Sequence, residues 1–260
     1  MHDPTPVGGT PSALPCAAGI LFAVPIEADP FERLATDRVE TLAGGLTFHE
    51  GLVAGNRVAW CVTGVGGEAA ARAARLLIDG HHPAVLVSAG FAGGLDASLV
   101  RGAAVRPGRS VSHDGSDPIP LVTRPGNDPA GGEPSPADPP AIVTVDRIVR
   151  TVAEKRALLV ASGGGLVDME THAVARVARA AGLPCVSLRV ISDDAAQELP
   201  REVADLARPQ SAMRRFGAAL GAVGRRPGAA LDLWRLYEHA VVDGKTLAAV
   251  LEEFCRELTA

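Results

Sequence analysis

No stretch of this sequence concentrates positive charge. Its 25 Lys and Arg are scattered among 30 Asp and Glu, for a formal net charge of -5, so it offers no electrostatic footprint for DNA, RNA or an anionic membrane. Cysteine is equally sparse. Cys16, Cys61, Cys185 and Cys255 stand far apart with no C-x-x-C spacing, which argues against a zinc cage or a disulfide framework and fits a reducing compartment, the cytoplasm. Long apolar runs are missing too. The stretch Ala17 to Ile26 is too short to span a bilayer, contains Pro25, is followed by Glu27 and has no basic cluster ahead of it, so it reads as a buried first strand and not a targeting segment. With no internal repeat in sight, solenoids and propellers are excluded.

What is present is enough apolar material for a full core: 260 residues, 47% of them hydrophobic, support one catalytic domain. Residues 1–16, rich in Pro, Gly and Thr, read as a solvated leader, with the fold beginning near Ala17. β-type runs at Gly19–Val24, Arg57–Thr63 and Ala84–Ala89 flank an amphipathic helix over Glu68–Asp79, whose apolar positions are Ala70, Ala73, Ala74 and Leu77. Strand, glycine turn, helix and strand make a βαβ-like unit. The expected class is α/β, a three-layer α/β/α domain with a mixed central sheet. Pro107 to Pro140 has too few apolar residues to pack and is expected to form a surface excursion, a lid or an insertion.

Order resumes with a short run at Ala141–Thr144, a helix near Ala153–Val160, and the glycines Gly163–Gly165 leading into Val167-Asp168-Met169-Glu170. A helical stretch over Thr171–Ala181 stops at Gly182-Leu183-Pro184, and the β-rich run Cys185–Ile191 ends on Ser192-Asp193-Asp194. The tail, 201–260, predicts two helices, Ala229–Ala240 and Lys245–Leu258, separated at Asp243-Gly244.

Three acids, Glu27, Glu170 and Asp193, lie beside apolar strands, where a charge costs free energy unless it has a partner or a function. Cleaving the N-glycosidic bond of a nucleoside needs an activated leaving base, a stabilised ribosyl cation and an activated nucleophile, and three spaced carboxyl groups can divide that labour. Each also has a plainer role available. Glu27 can simply open a helix through favourable dipole placement, Glu170 can be a solvent-facing helix residue, and Asp193 or Asp194 can be an N-cap. His172 reads as structural, and His81-His82, in an expected loop before Pro83, has no metal-ligand partner at sensible spacing.

Five motifs then stand in order: Gly19-Ile20-Leu21-Phe22-Ala23-Val24-Pro25-Ile26-Glu27, Thr63-Gly64-Val65-Gly66, Ala89-Gly90-Phe91-Ala92-Gly93-Gly94, Asp168-Met169-Glu170 and Arg189-Val190-Ile191-Ser192-Asp193. This order resembles that of the 5'-methylthioadenosine/S-adenosylhomocysteine nucleosidases and their phosphorylase relatives, over roughly residues 19–200. The resemblance implies that Glu27 positions and deprotonates the attacking water, that Glu170 hydrogen-bonds the ribose hydroxyls, and that Met169 packs on the sugar. Asp193, supported by Ser192, would deliver a proton or hydrogen bond to purine N7, its proton affinity raised by apolar neighbours at the strand end. Arg189 would hold the water or offset the acidic charge. Gly90, Phe91, Ile148 and Val149 fall on substrate-contacting segments of the family. No metal or organic cofactor is implied, and self-association as a homodimer or larger homo-oligomer is.

Phosphorolysis needs a cationic, donor-rich pocket. Related phosphorylases carry a Gly-Asp-Pro-x-Arg type motif after the first strand and an arginine ahead of the central glycine motif; here those places read Val24-Pro25-Ile26-Glu27 and Ser88. Water is therefore the expected acceptor, and methylthioadenosine or S-adenosylhomocysteine the expected type of substrate, in methionine salvage. Two positions depart from those nucleosidases: Phe91 stands where they usually have Ser, and Asp146-Arg147-Ile148-Val149 supplies aliphatic side chains where they commonly stack an aromatic on the purine. With Gly94-Leu95-Asp96, Asp168-Met169-Glu170-Thr171-His172 and Arg226-Pro227-Gly228, the chain is also similar to hopanoid-associated nucleosidases or phosphorylases, which act on an adenosyl lipid. That reading and futalosine-type hydrolysis are the alternatives for the 5' group. A non-catalytic purine nucleoside binding or storage protein is the alternative of another class.

Overall fold

The computed structural model describes residues 15–123, 139–200 and 227–258. The expected leader lies almost wholly outside the described residues, as do parts of the 107–140 segment and of the tail.

Among the described residues a mixed sheet of eleven strands organises the fold. Its centre is β1 (Ala18–Phe22), flanked in parallel by β4 (Asn56–Val62) and β5 (Leu86–Gly94). β5 is also parallel to β11 (Cys185–Asp193) and pairs its last residues antiparallel with β10 (Leu166–Asp168). Beyond β4, β3 (Leu46–Val53) and β2 (Thr36–Ala43) continue as antiparallel strands. Beyond β10 come β9 (Ala141–Thr144), β7 (Arg109–Val111) and β8 (Ile119–Pro120), while β6 (Ala104–Val105) pairs β11.

Helices close both faces. α1 (Pro25–Glu32) and the C-terminal helix α5 (Pro227–Glu257) cover one face, where Phe22, Phe31, Trp60, Leu188, Leu247, Leu251 and Phe254 form one buried cluster. On the other, α2 (Gly67–His81) and α4 (Thr171–Ala180) bury Ala70, Ala73, Ala74, Leu77, Val174 and Ala178 against Leu21, Leu86 and Ile191. The predicted stripe of α2 is the buried one, because residues three and four apart share a helix face. Small side chains there let the helix sit close: a Cβ on Gly19 would lie 2.2 Å from Leu77. α3 (Val152–Ser162) starts at a capping box in which Thr151 Oγ1 accepts from the Glu154 amide and the Glu154 carboxylate accepts from the Thr151 amide.

The structure departs from the sequence-based expectations in four places. The hairpin β2–β3 has no signature in the sequence, because β2 is an edge strand with most of its residues exposed and so has no buried face to impose a period of two. The 107–140 segment is not wholly an excursion: β7 and β8 join the sheet, and Val111, Ile119, Leu121 and Val122 are buried. Among the described residues of the tail, one continuous helix stands in place of the expected two. Gly244 does not break it; a Cβ there would lie 2.7 Å from the Ile26 carbonyl oxygen, so the glycine lets α5 press onto the start of α1. The neighbouring Asp243 is buried and paired with Arg101 at 2.9 Å.

His81 is the last residue of α2, not part of a loop, and it lies with Cys16 and Glu50 in a buried group whose ligand-type atoms are within 4.8 Å of one another. His81 Nδ1 stands 2.5 Å from Glu50 Oε1, and Glu50 also pairs with Arg57. With both Glu50 oxygens engaged and a guanidinium beside them, the group is a self-satisfied network. Burial and Glu50 push the Cys16 thiol up to about 11. No helix among the described residues is long and apolar enough to cross a membrane.

Candidate active site at the end of β5

The segment Ser88–Gly94 of β5 is the spine on which the candidate residues meet. Glu27, the third residue of α1, folds back over the first turn. Its Oε2 accepts from the amides of Ala23 (2.9 Å) and Val24 (3.1 Å), while Oε1 accepts from the Phe91 amide at 2.8 Å. Glu27 therefore closes the first turn of its helix and also reaches β5. Burial raises its proton affinity, against the lowering effect of those three amides and of Arg189.

Gly90 makes this approach possible. A Cβ there would lie 2.6 Å from both Glu27 Oε1 and Arg189 Nη1, so only glycine lets the carboxylate and the guanidinium face each other across the strand. Arg189 enters from β11, opposite Gly90. Its Nη2 donates to Ser88 Oγ (2.5 Å) and Thr171 Oγ1 (2.7 Å) and lies 2.7 Å from Asp168 Oδ2. Asp168 in turn accepts from Thr144 Oγ1 and from the Thr171 amide and hydroxyl. Arg189 and Asp168 form a buried ion pair in which the Arg189 Nε alone of the guanidinium nitrogens is buried without a hydrogen-bond partner among the described residues.

Glu170 is the N-cap of α4 and accepts from the Gly66 amide at 2.7 Å. Burial, then the nearby Asp168 and, more weakly, Glu27, push its carboxyl up to about 8, against the pull of Arg189. Glu27, Arg189, Asp168 and Glu170 thus share one electrostatic neighbourhood. A recess lined by Thr63, Ser88, Glu170, Val174 and Arg189 adjoins them; it has no room for a water molecule, and neither Glu27 nor Asp193 lines it.

Asp193 sits farther along the same strand end. It pairs with Gly93 in the sheet, and its carboxylate lies 3.3 Å from the place of a Gly93 Cβ. Ser192 Oγ donates to Asp193 Oδ1 at 2.7 Å. Its surroundings are not the apolar ones expected. Lys155, from α3 and 1% exposed, places Nζ 2.5 Å from Asp193 Oδ2. The same ammonium donates to the carbonyls of Asp194 and, at 3.0 Å, Gln197.

The remaining candidates divide. Met169 is half-buried between Asp168 and Glu170, and Phe91 is partly buried against the α1/α5 cluster. Ile148 is half-buried; Val149 is buried with Leu95, Val111, Val143 and Val167 in a third, smaller cluster and so serves the core. His172 Nδ1 lies 3.2 Å from Ser110 Oγ and its Nε2 3.4 Å from Asp117. Four residues of the site escape a reading of the sequence. Ser88, Asp168 and Thr171 hold Arg189, and Lys155 holds Asp193; only Asp168 lies inside one of the five ordered motifs.

A sheet covered on both faces, with buried acids gathered where its inner strands end, is the architecture of an α/β enzyme that collects its ligand at strand ends. The model of the phosphorylase superfamily matches residues 17–142 and 136–223, and the chain belongs to that family. Among curated relatives it is 29% identical, over 67% of its length and 84% of theirs, to a 5'-methylthioadenosine/S-adenosylhomocysteine nucleosidase of Actinobacillus succinogenes. It is 27% identical to the Pseudoalteromonas translucida protein of the same name, over 65% of this chain and 81% of that one. Solved structures agree on the fold. The S. pneumoniae enzyme of that type with a transition-state inhibitor superposes with a TM-score of 0.68 at 19% identity, covering 93% of this chain and 99% of that one. The futalosine hydrolase of Helicobacter pylori does so with a TM-score of 0.61 at 22% identity, covering 91% and 97%.

Proposed function

We propose that this chain is a purine nucleosidase that hydrolyses the N-glycosidic bond of a 5'-substituted adenosine and releases adenine, with water as the nucleophile. In this reading Glu27 takes a proton from the water, Glu170 holds the ribose hydroxyls with Met169 against the sugar, and Asp193 serves N7 of the base. The curated relatives named as methylthioadenosine/S-adenosylhomocysteine nucleosidases support the substrate type.

The observation that carries the choice of water is the balance of buried charge. Arg189 is matched by Asp168, and Lys155 by Asp193. Glu27 and Glu170 are left over, with no buried cation to spare among the described residues that frame the site. With Glu170 raised to about 8 and so mostly neutral at pH 7, Glu27 is the acceptor left for a water proton, and a site with no unpaired cation gives a phosphate dianion no counter-charge. Phosphate binding calls for the opposite balance.

The test is base release from methylthioadenosine, S-adenosylhomocysteine, an adenosyl lipid and futalosine, each with and without phosphate. Adenine from the first two at a phosphate-independent rate is expected. Strict dependence on phosphate would overturn the hydrolytic reading, and no release from any of the four would favour a binding protein. We further propose that the enzyme works in the cytoplasm, in methionine salvage, and as a homodimer or larger homo-oligomer; light scattering of the purified chain checks the last point.

A further inference from the structure

Lys155 is the residue that the sequence gives least reason to notice. It lies in the first turns of an ordinary helix, yet its side chain is 1% exposed. Burying an ammonium is costly unless it is paired and hydrogen-bonded. Every acceptor it has found belongs to one short piece of chain: the Asp193 carboxylate, the Asp194 carbonyl and the Gln197 carbonyl. α3 thereby grips the exit of β11 at a single point.

The geometry at Asp193 is specific. Oδ1 is taken by Ser192 Oγ. Oδ2 is buried 2.5 Å from Nζ, but no donor is aligned on it as a hydrogen bond among the described residues. The lysine therefore supplies charge and position at Oδ2, while the Ser192 hydroxyl occupies Oδ1.

We infer that Lys155 is the positioning residue of base departure: it holds Asp193 at purine N7 and stabilises the carboxylate that remains once the Asp193 proton has moved to the base. This rests on the nucleosidase reading. As the glycosidic bond breaks, its electron pair goes to the purine, N7 takes the Asp193 proton, and the attacking water gives a proton to Glu27. Both carboxyl groups then re-equilibrate with solvent, so that nucleoside and water yield base and free sugar. The new negative charge on Asp193 appears beside a cation already in place, so no reorganisation is needed during the reaction. Lys155 itself touches neither sugar nor base.

Two substrates separate this role from a merely structural one: an adenine nucleoside, whose base must be protonated to leave, and a 5'-substituted p-nitrophenyl ribofuranoside, whose phenolate leaves without a proton. Lys155→Met is expected to lower kcat for the adenine nucleoside about 100-fold, in the lower range for general-acid effects, with KM changed little. The nitrophenyl riboside rate should stay within about threefold of the parent, because it does not use the acid. Equal losses on both substrates, or a loss on neither, would overturn the inference. Should Lys155→Met not fold, Lys155→Met/Asp193→Asn removes both buried charges and is compared with Asp193→Asn alone. Matching rates on both substrates support the inference, and a further tenfold loss on the adenine nucleoside overturns it. A parent protein inert on every nucleoside would instead sink the nucleosidase reading, a result distinct from all of these.

Discussion

Adding one methyl group at Gly90 tests the centre of the site more sharply than removing an acid. In Gly90→Ala the new Cβ would stand 2.6 Å from Glu27 Oε1, 2.6 Å from Arg189 Nη1 and 2.9 Å from Glu27 Cδ, where ordinary contact begins near 3.4 Å. Neither neighbour can swing aside freely. Glu27 is held by three backbone amides, and Arg189 by Asp168, Ser88 and Thr171. Each must retreat by a large fraction of an ångström, and since a misplacement of about 1 Å costs on the order of 100-fold in rate, kcat should fall by about 10- to 100-fold. Overpacking should also cost about 1–3 kcal/mol of stability, or a few degrees to about ten degrees in Tm for a chain of this size. Steady-state adenine release and a thermal melt, run on the same preparation, measure both. A variant that folds with the expected loss of stability yet keeps its kcat within about threefold, well short of that misplacement cost, would show that the Glu27–Arg189 pair is not where the chemistry happens.

The other predictions concern the remaining buried charges. The Glu170 carboxyl, held near 8 in the folded chain against 4.5 as its ordinary value, keeps its proton where the unfolded chain has lost it; the folded state binds more protons, so stability falls as pH rises from about 4.5 to about 8 and levels off above. Glu170→Gln should flatten that slope and melt higher than the parent at pH 8, with a raised KM; identical pH–Tm curves would refute the assignment. Asp193→Asn should lower adenine release by about 100- to 10,000-fold, leaving a residual rate against which the double variant is read, and, by stranding the Lys155 ammonium, destabilise the fold by about 3–5 kcal/mol. Lys155→Met added to it should restore much of the Tm without restoring turnover. Gly244→Ala, whose Cβ would sit 2.7 Å from the Ile26 carbonyl oxygen, should lower kcat from a position remote in sequence, because Ile26 precedes Glu27; unchanged kinetics would show that α1 absorbs the push.

Much of the framework is legible in the sequence because it obeys local rules. The stripe of α2, the apolar runs of β1, β5 and β11, and the Thr171 helix all carry their own periodicity, and the order of five motifs points to the family. What stays hidden depends on partners far away in the chain. Lys155 looks like a solvent-facing helix residue until residues 193–197 arrive beside it. Gly244 reads as a break because its helix-breaking tendency is local, while the close contact with α1 that favours it lies more than two hundred residues earlier. Val149 resembles a pocket residue by analogy of position, yet it fills a core formed by β7, β9 and β10, whose pairing no local pattern announces.

One irregularity in β11 explains how a single strand end serves two parts of the proposed reaction. Arg189 pairs with Gly90 and Ile191 with Ala92, but then Ser192 is passed over and Asp193 pairs with Gly93. Without that bulge Asp193 would point to the same face as Arg189, since residues four apart in a strand share a side. The extra residue turns it over. The glycines record the result: the Cβ direction of Gly90 meets Arg189 and Glu27, and that of Gly93, an odd number of residues along, meets Asp193. The Asp168–Arg189–Glu170 group therefore approaches β5 from the α4 side, while Asp193 turns to the other, within reach of α3. In the proposed assignment this lets the sugar acids and the base acid close on a nucleoside from different directions. It also keeps two buried ion pairs from competing for the same partners.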